Sequence, residues 1–182
     1  MLIAGENVDP TLLSEVSSLG HAARVIGLFR REDLPRSELP DVALALWHVG
    51  DPGNVGTLVR TADALGPALV ALSDGCADPT GPKAVRASMG AIFRVPLAAF
   101  DDAGGRWIGL VAHGGRALAD VPIDGATTFV VGAEREGLPE EVQARCDELA
   151  TIPLAAGAES LNVATAGALA LYELRRRASG GE

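Results

Sequence analysis

Glu159-Ser160-Leu161-Asn162-Val163-Ala164 is the stretch on which the reading of this chain turns. It follows the apolar run Leu149-Ala150-Thr151-Ile152-Pro153-Leu154 and opens a helical pattern that ends in Arg175-Arg176-Arg177. Three polar side chains therefore stand where a strand end feeds a helix start. In open α/β folds that place holds ligands, because N–H groups at the helix start point outward and the strand ends leave a crevice. Two other segments carry similar chemistry, Asp51-Pro52-Gly53-Asn54-Val55-Gly56-Thr57-Leu58-Val59-Arg60 and Val131-Gly132-Ala133-Glu134-Arg135-Glu136-Gly137-Leu138. One such loop is weak; three in order in one small chain define a site.

Working outward, apolar runs alternate with helical patterns. Residues 42–47, 68–72, 107–112, 128–131 and 149–152 are short, apolar and bounded by Gly, Pro or Asp, which predicts buried strands. Residues 54–65 form a helix with Val55, Leu58, Val59, Ala62 and Leu65 on one face. A short helix is expected over 139–145, and a long one over 161–178 with Leu161, Ala164, Ala168 and Tyr172 at helical spacing. This βαβ rhythm implies an α/β fold, a mostly parallel sheet with helices on both faces. Residues 1–40 differ. Two short strands, at 2–4 and 24–29, flank a helix over 10–19 that Asp9 caps and Pro10 starts. Residues 30–40 are charged and Pro-rich, like a linker. Two strands and a helix make a poor independent domain, so 1–40 is expected to be a partial region and 41–182 the main domain.

Composition narrows the class. With 182 residues, 48% of them hydrophobic, the chain can bury a real core. Aromatics are only 4%, so stacking platforms are scarce. No apolar run reaches the roughly 20 residues that span a bilayer, and the N-terminus lacks the basic start of a secretory signal. Cys76 and Cys146 lie far apart, without metal-ligand spacing, and read as reduced thiols of a cytoplasmic protein. The net charge of −9 argues against a broadly basic nucleic-acid footprint, although net charge is not a local field. Every basic residue but Lys83 is Arg, the residue whose planar fork suits phosphate.

The three loops supply the candidates. Asn54 stands at the expected helix start, where Asn caps. Arg60 projects opposite the apolar stripe, with Gly56 beside it leaving room for a substrate. Gly132 follows a strand and lets a ligand approach the backbone. Glu134 is placed to bind a ligand or hold an Arg, while Arg135 and Glu136 read as solvated charges. Ser160 and Asn162 flank Leu161; Ser160 suits a helix cap, and Leu161 packs in the core or on a ligand ring. Other chemistries fail. The dinucleotide fingerprint does not fit Gly50, Gly53 and Gly56, each three apart. Gly81-Pro82-Lys83 is no phosphate loop, and Ala87-Ser88-Met89-Gly90 lacks the first Gly of a nucleophile elbow. His21, His48 and His113 are scattered and near no Cys, so no metal site is expected and each His reads as structural.

These residues resemble the SpoU, or TrmH, family of RNA methyltransferases within the SPOUT superfamily. Asn54-x-Gly56-x-x-x-Arg60 with Gly66 is similar to its first motif. Gly132-Ala133-Glu134-x-x-Gly137-Leu138 is similar to the second. Ile152-Pro153-Leu154 with Glu159-Ser160-Leu161-Asn162-Val163-Ala164 is similar to the third, and residues 83–91 resemble the stretch between motifs one and two. The likeness runs from about Val42 onward. It implies a parallel sheet whose C-terminal segment threads a loop into a trefoil knot. The implied cofactor is S-adenosylmethionine, held by Gly132, Ile152 and Leu161, with the loop after Val111-Ala112 as a further wall. The implied reaction is methyl transfer to a ribose 2′-hydroxyl of rRNA or tRNA. Arg60 is central to it, with Asn54, Glu134, Ser160 and Asn162 around it, in a homodimer whose site lies near the subunit interface. Residues 1–40 resemble the end of the family's ribosomal-protein-like substrate-binding domain, which is longer when complete. The expectation is a chain that begins partway through it, with RNA affinity affected more than cofactor binding.

Arg keeps its proton, with a pKa above roughly 12, so Arg60 reads as an anchor for RNA phosphate and the developing alkoxide. A phosphate or water would then accept the proton. Two other readings share these motifs: methylation of a base on the same fold, and a non-catalytic RNA-binding or ribosome-assembly module.

Overall fold

The computed structural model describes residues 1–17, 23–35, 41–66 and 68–179. Two compact units form, Met1–Leu34 and Pro35–Glu182. In the first, strands β1 (Leu2–Ile3) and β2 (Val25–Ile26) pair antiparallel around helix α1 (Pro10–Val16). Asp9 caps α1 through the Thr11 N–H at 2.7 Å, and Pro10 takes the first helical position, as the sequence predicted. The expected end of that helix at 18–19, the linker residues 36–40 and His21 lie outside the described residues.

The second unit is a seven-stranded, wholly parallel sheet. In chain order its elements are β3 (Val42–Leu46), α2 (Pro52–Leu65), β4 (Leu69–Leu72), α3 (Pro82–Ala87), β5 (Leu97–Ala99), β6 (Arg106–Leu110), β7 (Arg116–Ala117), β8 (Thr127–Val131), α4 (Glu140–Gln143), β9 (Glu148–Thr151) and α5 (Val163–Ser179). The strands lie in the order β5-β4-β3-β8-β6-β9-β7. Strands read as continuous apolar runs because both faces are covered. On one face Ala43, Ala45, Leu69, Ala71 and Val130 pack against Phe100, Trp107, Leu138 and Val142. On the other, Leu44 meets α2 and α5 where Leu58 and Gly167 close together. Each fully buried Leu or Phe there contributes roughly 1.5–3 kcal/mol.

Strand β9 lies between β6 and β7, although those two are joined by only residues 111–115. That connection therefore passes across β9. Val111 donates its N–H to Ala150 O at 2.9 Å, and Gly115 donates to Thr151 Oγ1 at 3.0 Å. A Cβ on Gly115 would stand 2.7 Å from the Ala150 carbonyl carbon and 2.9 Å from that of Leu149, so the crossing closes only because that position is glycine.

Two helical expectations need correction. Helix α2 begins at Pro52, not Asn54, and its cap is Asp51, whose carboxylate accepts the Asn54 N–H at 3.0 Å. Asp before Pro is both a cap and a first-turn signal, and it leaves the Asn54 side chain free. In α5 the buried stripe is Val163, Ala164, Gly167, Ala170 and Leu171, whereas Tyr172 is exposed and Leu161 precedes the helix, which starts at Val163. The helix is so rich in alanine that its sequence offers little contrast between faces.

Gly56 faces protein rather than a substrate. A Cβ there would run into the Ala84 carbonyl oxygen and the Ala87 side chain on α3, so Gly56 lets α2 and α3 touch backbone to side. The far end of α5 is fixed by Arg177, which donates to the carbonyls of Val121 (2.6 Å), Ala119 (2.7 Å) and Leu118 (3.0 Å) and to Glu173 (2.7 Å). Hydrogen bonds from Arg176, reinforced by Arg177 against an opposing push from burial, bring the Glu173 carboxyl from its ordinary 4.5 to about 2.

Gly56→Ala should destabilise by about 1–3 kcal/mol, because overpacking against fixed backbone outweighs the helical gain of alanine. Gly167→Ala, whose Cβ would meet side-chain carbons rather than backbone, Leu58 Cδ2 at 2.5 Å and Leu44 Cδ2 at 3.4 Å, should cost less than Gly56→Ala when both are unfolded in urea. Acid should act on Glu173 with a defined sign. Its folded pKa is depressed, so its contribution is complete above about 4.5 and disappears as pH falls through about 2. The stability difference between wild type and Glu173→Gln should stay constant from neutral pH to about 5 and shrink toward zero below it.

Candidate active site

The C-terminal ends of the parallel strands carry the site, as the fold requires. A cavity of about 380 Å³ opens there, within the roughly 300–1,000 Å³ of small-molecule sites. Val111, Ala112, Gly132, Ile152 and Leu161 all line it, together with Glu134 and Ser160. One wall is the crossing segment after β6, a second the turn after β8, and a third the chain between β9 and α5. The lining mixes Leu110, Leu138 and Leu154 with exposed backbone, a surface that suits a flat apolar ring with polar edges.

Behind the cavity the three loops are joined by side-chain amides. Asn162 caps α5: its Oδ1 accepts the N–H of Ala164 at 2.8 Å and of Thr165 at 3.3 Å. With that oxygen committed, its Nδ2 faces outward and donates to Asn54 Oδ1 at 3.1 Å. Asn54 must then present its own Nδ2 to the other side, where it donates to Glu134 Oε1 at 2.9 Å. Glu134 also accepts the N–H of Asp51 at 3.3 Å and of Gly50 at 3.4 Å. The helix start thus sets the polarity of the whole relay.

Burial raises the Glu134 pKa, but hydrogen bonds from the Asn54 amide and from the backbone N–H groups of Glu134, Asp51 and Gly50 outweigh it. The carboxyl ends below its ordinary 4.5 and is ionised at neutral pH. A carboxylate held in this way is a fixed negative charge and acceptor at the cavity wall, and a poor proton donor.

The structure brings Asn54, Glu134 and Asn162 into direct contact and sets Ser160 on the cavity wall. Ser160 makes no cap; Asn162 does. Arg60 stands apart: it is exposed on α2, about 9 Å farther along the axis than Asn54 at 1.5 Å per residue. Arg60 has no hydrogen bond or ion pair among the described residues, so its fork is open to solvent. Gly132 lines the cavity, but the space its missing Cβ leaves is filled by the backbone of Gly137 and Leu138. Its role is to let the 132–138 turn fold back on itself, which Gln143 secures through Leu138 O at 2.6 Å. His113, expected to be structural, is exposed and lines the cavity; Arg135 and Glu136 are exposed, as expected of solvated charges, and also line it. The position of His113 just after Val111-Ala112 was the available signal. Among the described residues no group of three or more His, Cys, Asp or Glu could hold a metal ion, and no helix is long and apolar enough to cross a membrane.

Known proteins resemble this chain in sequence and fold. Residues 41–172 match the pattern of the SpoU rRNA Methylase family. A Mycobacterium tuberculosis protein named as an uncharacterized tRNA/rRNA methyltransferase is 38% identical over 148 residues, covering 76% of this chain and 46% of its own length. The chain thus spans about half the length of that curated relative. The SpoU methyltransferase AviRb from Streptomyces viridochromogenes, solved with the cofactor AdoMet, superposes with a TM-score of 0.78 at 28% identity, over 97% of this chain and 74% of that one. A chain solved in work on the 2-OH methylation of C/U34 on tRNA superposes with a TM-score of 0.70 at 32% identity, over 76% of this chain and 97% of that one.

The relay makes a coupling prediction. A double-mutant cycle of Asn54→Ala and Glu134→Ala in urea should give an interaction of about 0.5–3 kcal/mol. The cycle of Asn54→Ala with Arg60→Ala should be additive within about 0.5 kcal/mol, because those side chains do not meet.

Proposed function

Because this chain belongs to the SpoU rRNA methylase family, we propose that it binds S-adenosylmethionine in the cavity beside Glu134 and methylates a ribose 2′-hydroxyl of rRNA or tRNA. The observation that carries this is shared membership: Glu134 lines the cavity and also ends the relay that joins all three motifs. A binding pocket and a polar cluster are thus one site. The chain's own residues fit the cofactor. Leu110, Leu138, Ile152, Leu154 and Leu161 offer apolar contact, and the segments at 111–113 and 132–137 offer backbone groups at the rim. When bound, S-adenosylmethionine supplies an electrophilic methyl group on a sulfonium.

The remaining work falls to side chains. Glu134, held ionised, places negative charge where a sulfonium is favoured over a neutral ligand. Asn54 and Asn162 hold Glu134 and the two helix starts in one register, which is the positioning that such transfers need. Ser160 presents a hydroxyl to the cavity that can hold a substrate oxygen. Arg60 anchors an RNA phosphate and the alkoxide that develops as the 2′-hydroxyl loses its proton to phosphate or water. We assign the protein to the cytoplasm, which its free Cys76 and Cys146 support. We also assign it a homodimer through α2 and α5. The small residues Ala164, Gly167 and Ala170 turn inward to α2, so the outer contact falls to Leu169 and Tyr172. A trefoil knot is consistent with the passage of 111–115 across β9, and residues 1–40 are assigned to part of a substrate-binding region.

Calorimetry with S-adenosylhomocysteine tests the cofactor, and nucleoside mass spectrometry of RNA from cells with and without the gene tests the product. Loss of a 2′-O-methyl nucleoside is expected; loss of a base-methylated one would replace the ribose assignment, and no change in any nucleoside would replace the enzyme by an RNA-binding module. Arg60→Ala should lower single-turnover methylation by roughly 100-fold or more, by analogy with removed oxyanion donors. Its melting temperature and S-adenosylhomocysteine affinity should be nearly unchanged, because among the described residues Arg60 has no hydrogen bond or ion pair to lose. Arg60→Lys should also fail, since a point charge does not reproduce the fork.

A further inference from the structure

His48 lies in the bend that follows β3 and leads into the first motif, and its geometry is unlike that of an ordinary loop histidine. Its φ of 51° puts it in the left-handed region, which a non-glycine residue occupies at a cost of roughly 1–3 kcal/mol and which clusters at functional sites. The turn has a definite effect. In an extended strand Trp47 and His48 would point to opposite faces; the left-handed turn instead brings the imidazole back onto the indole. The rings stack at 4.6 Å with 5° between planes. Gly75, itself at φ 89°, lies against the imidazole so closely that a Cβ would be 3.2 Å from Cδ2 and 3.4 Å from Cγ and Nε2. The ring is thus clasped between Trp47 and Gly75. Trp47 is in turn wedged edge-on against Phe100 at 5.2 Å, and the His48 N–H is held by Ser73 Oγ at 3.0 Å.

What this rigid clasp presents is an edge. His48 is exposed, and neither ring nitrogen has a hydrogen-bond partner among the described residues. Two residues later, Gly50 donates its N–H to Glu134, so the turn that carries His48 runs directly into the candidate active site from the C-terminal end of β3. Among the described residues no metal-binding cluster exists to claim it. A protein of net charge −9 offers a polyanion no general attraction, so it must hold one through local donors.

Resting on the function proposed above, we propose that His48 is an RNA-contacting residue. Its clasped imidazole donates a hydrogen bond to a phosphate or ribose oxygen of the strand entering the site, and so positions the target nucleotide.

The test separates this from a structural role. His48→Gly removes the ring and relieves the left-handed strain, and His48→Asn keeps an N–H donor on a residue that tolerates that backbone. Filter binding of bulk bacterial tRNA and rRNA should show His48→Gly weakened by about tenfold and His48→Asn recovering most of the loss. The melting temperature of His48→Gly should equal or exceed that of wild type, and its S-adenosylhomocysteine affinity should be unchanged. In single-turnover methylation the loss should fall on the half-saturating RNA concentration rather than the maximal rate. Wild-type RNA affinity in His48→Gly would overturn the proposal, as would a loss accompanied by a lower melting temperature and not recovered by Asn. If wild type transfers no methyl group, the function assigned above fails while the binding comparison still decides this contact; if wild type retains no RNA, both fail.

Discussion

The insertion of β9 between β6 and β7 is the constraint from which the site follows. Two strands joined by five residues cannot sit on either side of a third unless the joining segment crosses it. The crossing of 111–115 over Leu149-Ala150-Thr151 therefore builds one cavity wall from a connection that would otherwise be a plain loop. It also sets where the chain emerges after β9, next to the end of β6 and one strand away from β8. Residues 152–162 then have to pass the Glu134 turn on their way to α5, and Asn162 arrives within reach of Asn54. Pocket and relay are consequences of a single strand order.

Within that frame the relay is held by direction as much as by distance. An amide has one donating and one accepting end. The start of α5 consumes the acceptor of Asn162, the Asn162 donor consumes the acceptor of Asn54, and the Asn54 donor meets a carboxylate. Turning Asn54 over would set donor against donor on one side and oxygen against carboxylate on the other. Lys83 supports the same region from α3, pairing with Asp51 at 2.7 Å beside the cap that orders the α2 start. Two of the three relay side chains, Asn54 and Asn162, thus stand at helix starts, whose geometry is stiff, and they hold the Glu134 turn in place.

How much of this the sequence disclosed depended on contrast and length. The strands at 42–46, 69–72, 106–110, 127–131 and 148–151 were legible because each is a bounded apolar run. β5 and β7, of three and two residues, are too short for any periodicity to mark, and six-residue α3 lacked a repeat. The α5 stripe was misread because alanine gives no polarity to its faces. Asn54 was taken as a cap although Asp51-Pro52 carries the stronger signal. Gly56 and Gly132 were read as space for ligands because a sequence shows that a Cβ is missing but not which neighbour fills its place; in both cases protein does. The three loops were legible as chemistry, yet the amide chain that unites them depends on a strand order that no local pattern encodes.

The relay and the cavity also set a timetable. Their parts come from residues 50–54, 110–113, 131–138 and 152–166, spread across most of the chain. During vectorial synthesis the sheet ends and the Glu134 turn emerge well before Asn162 does. Until α5 is made, the Asn54 amide lacks its donor and one cavity wall is missing. Nascent chains therefore carry most of the sheet before the cavity has all its walls, and the site closes in one late step. A chain ending before residue 162 would lack the Asn162 donor, one cavity wall and the helix that covers Leu44.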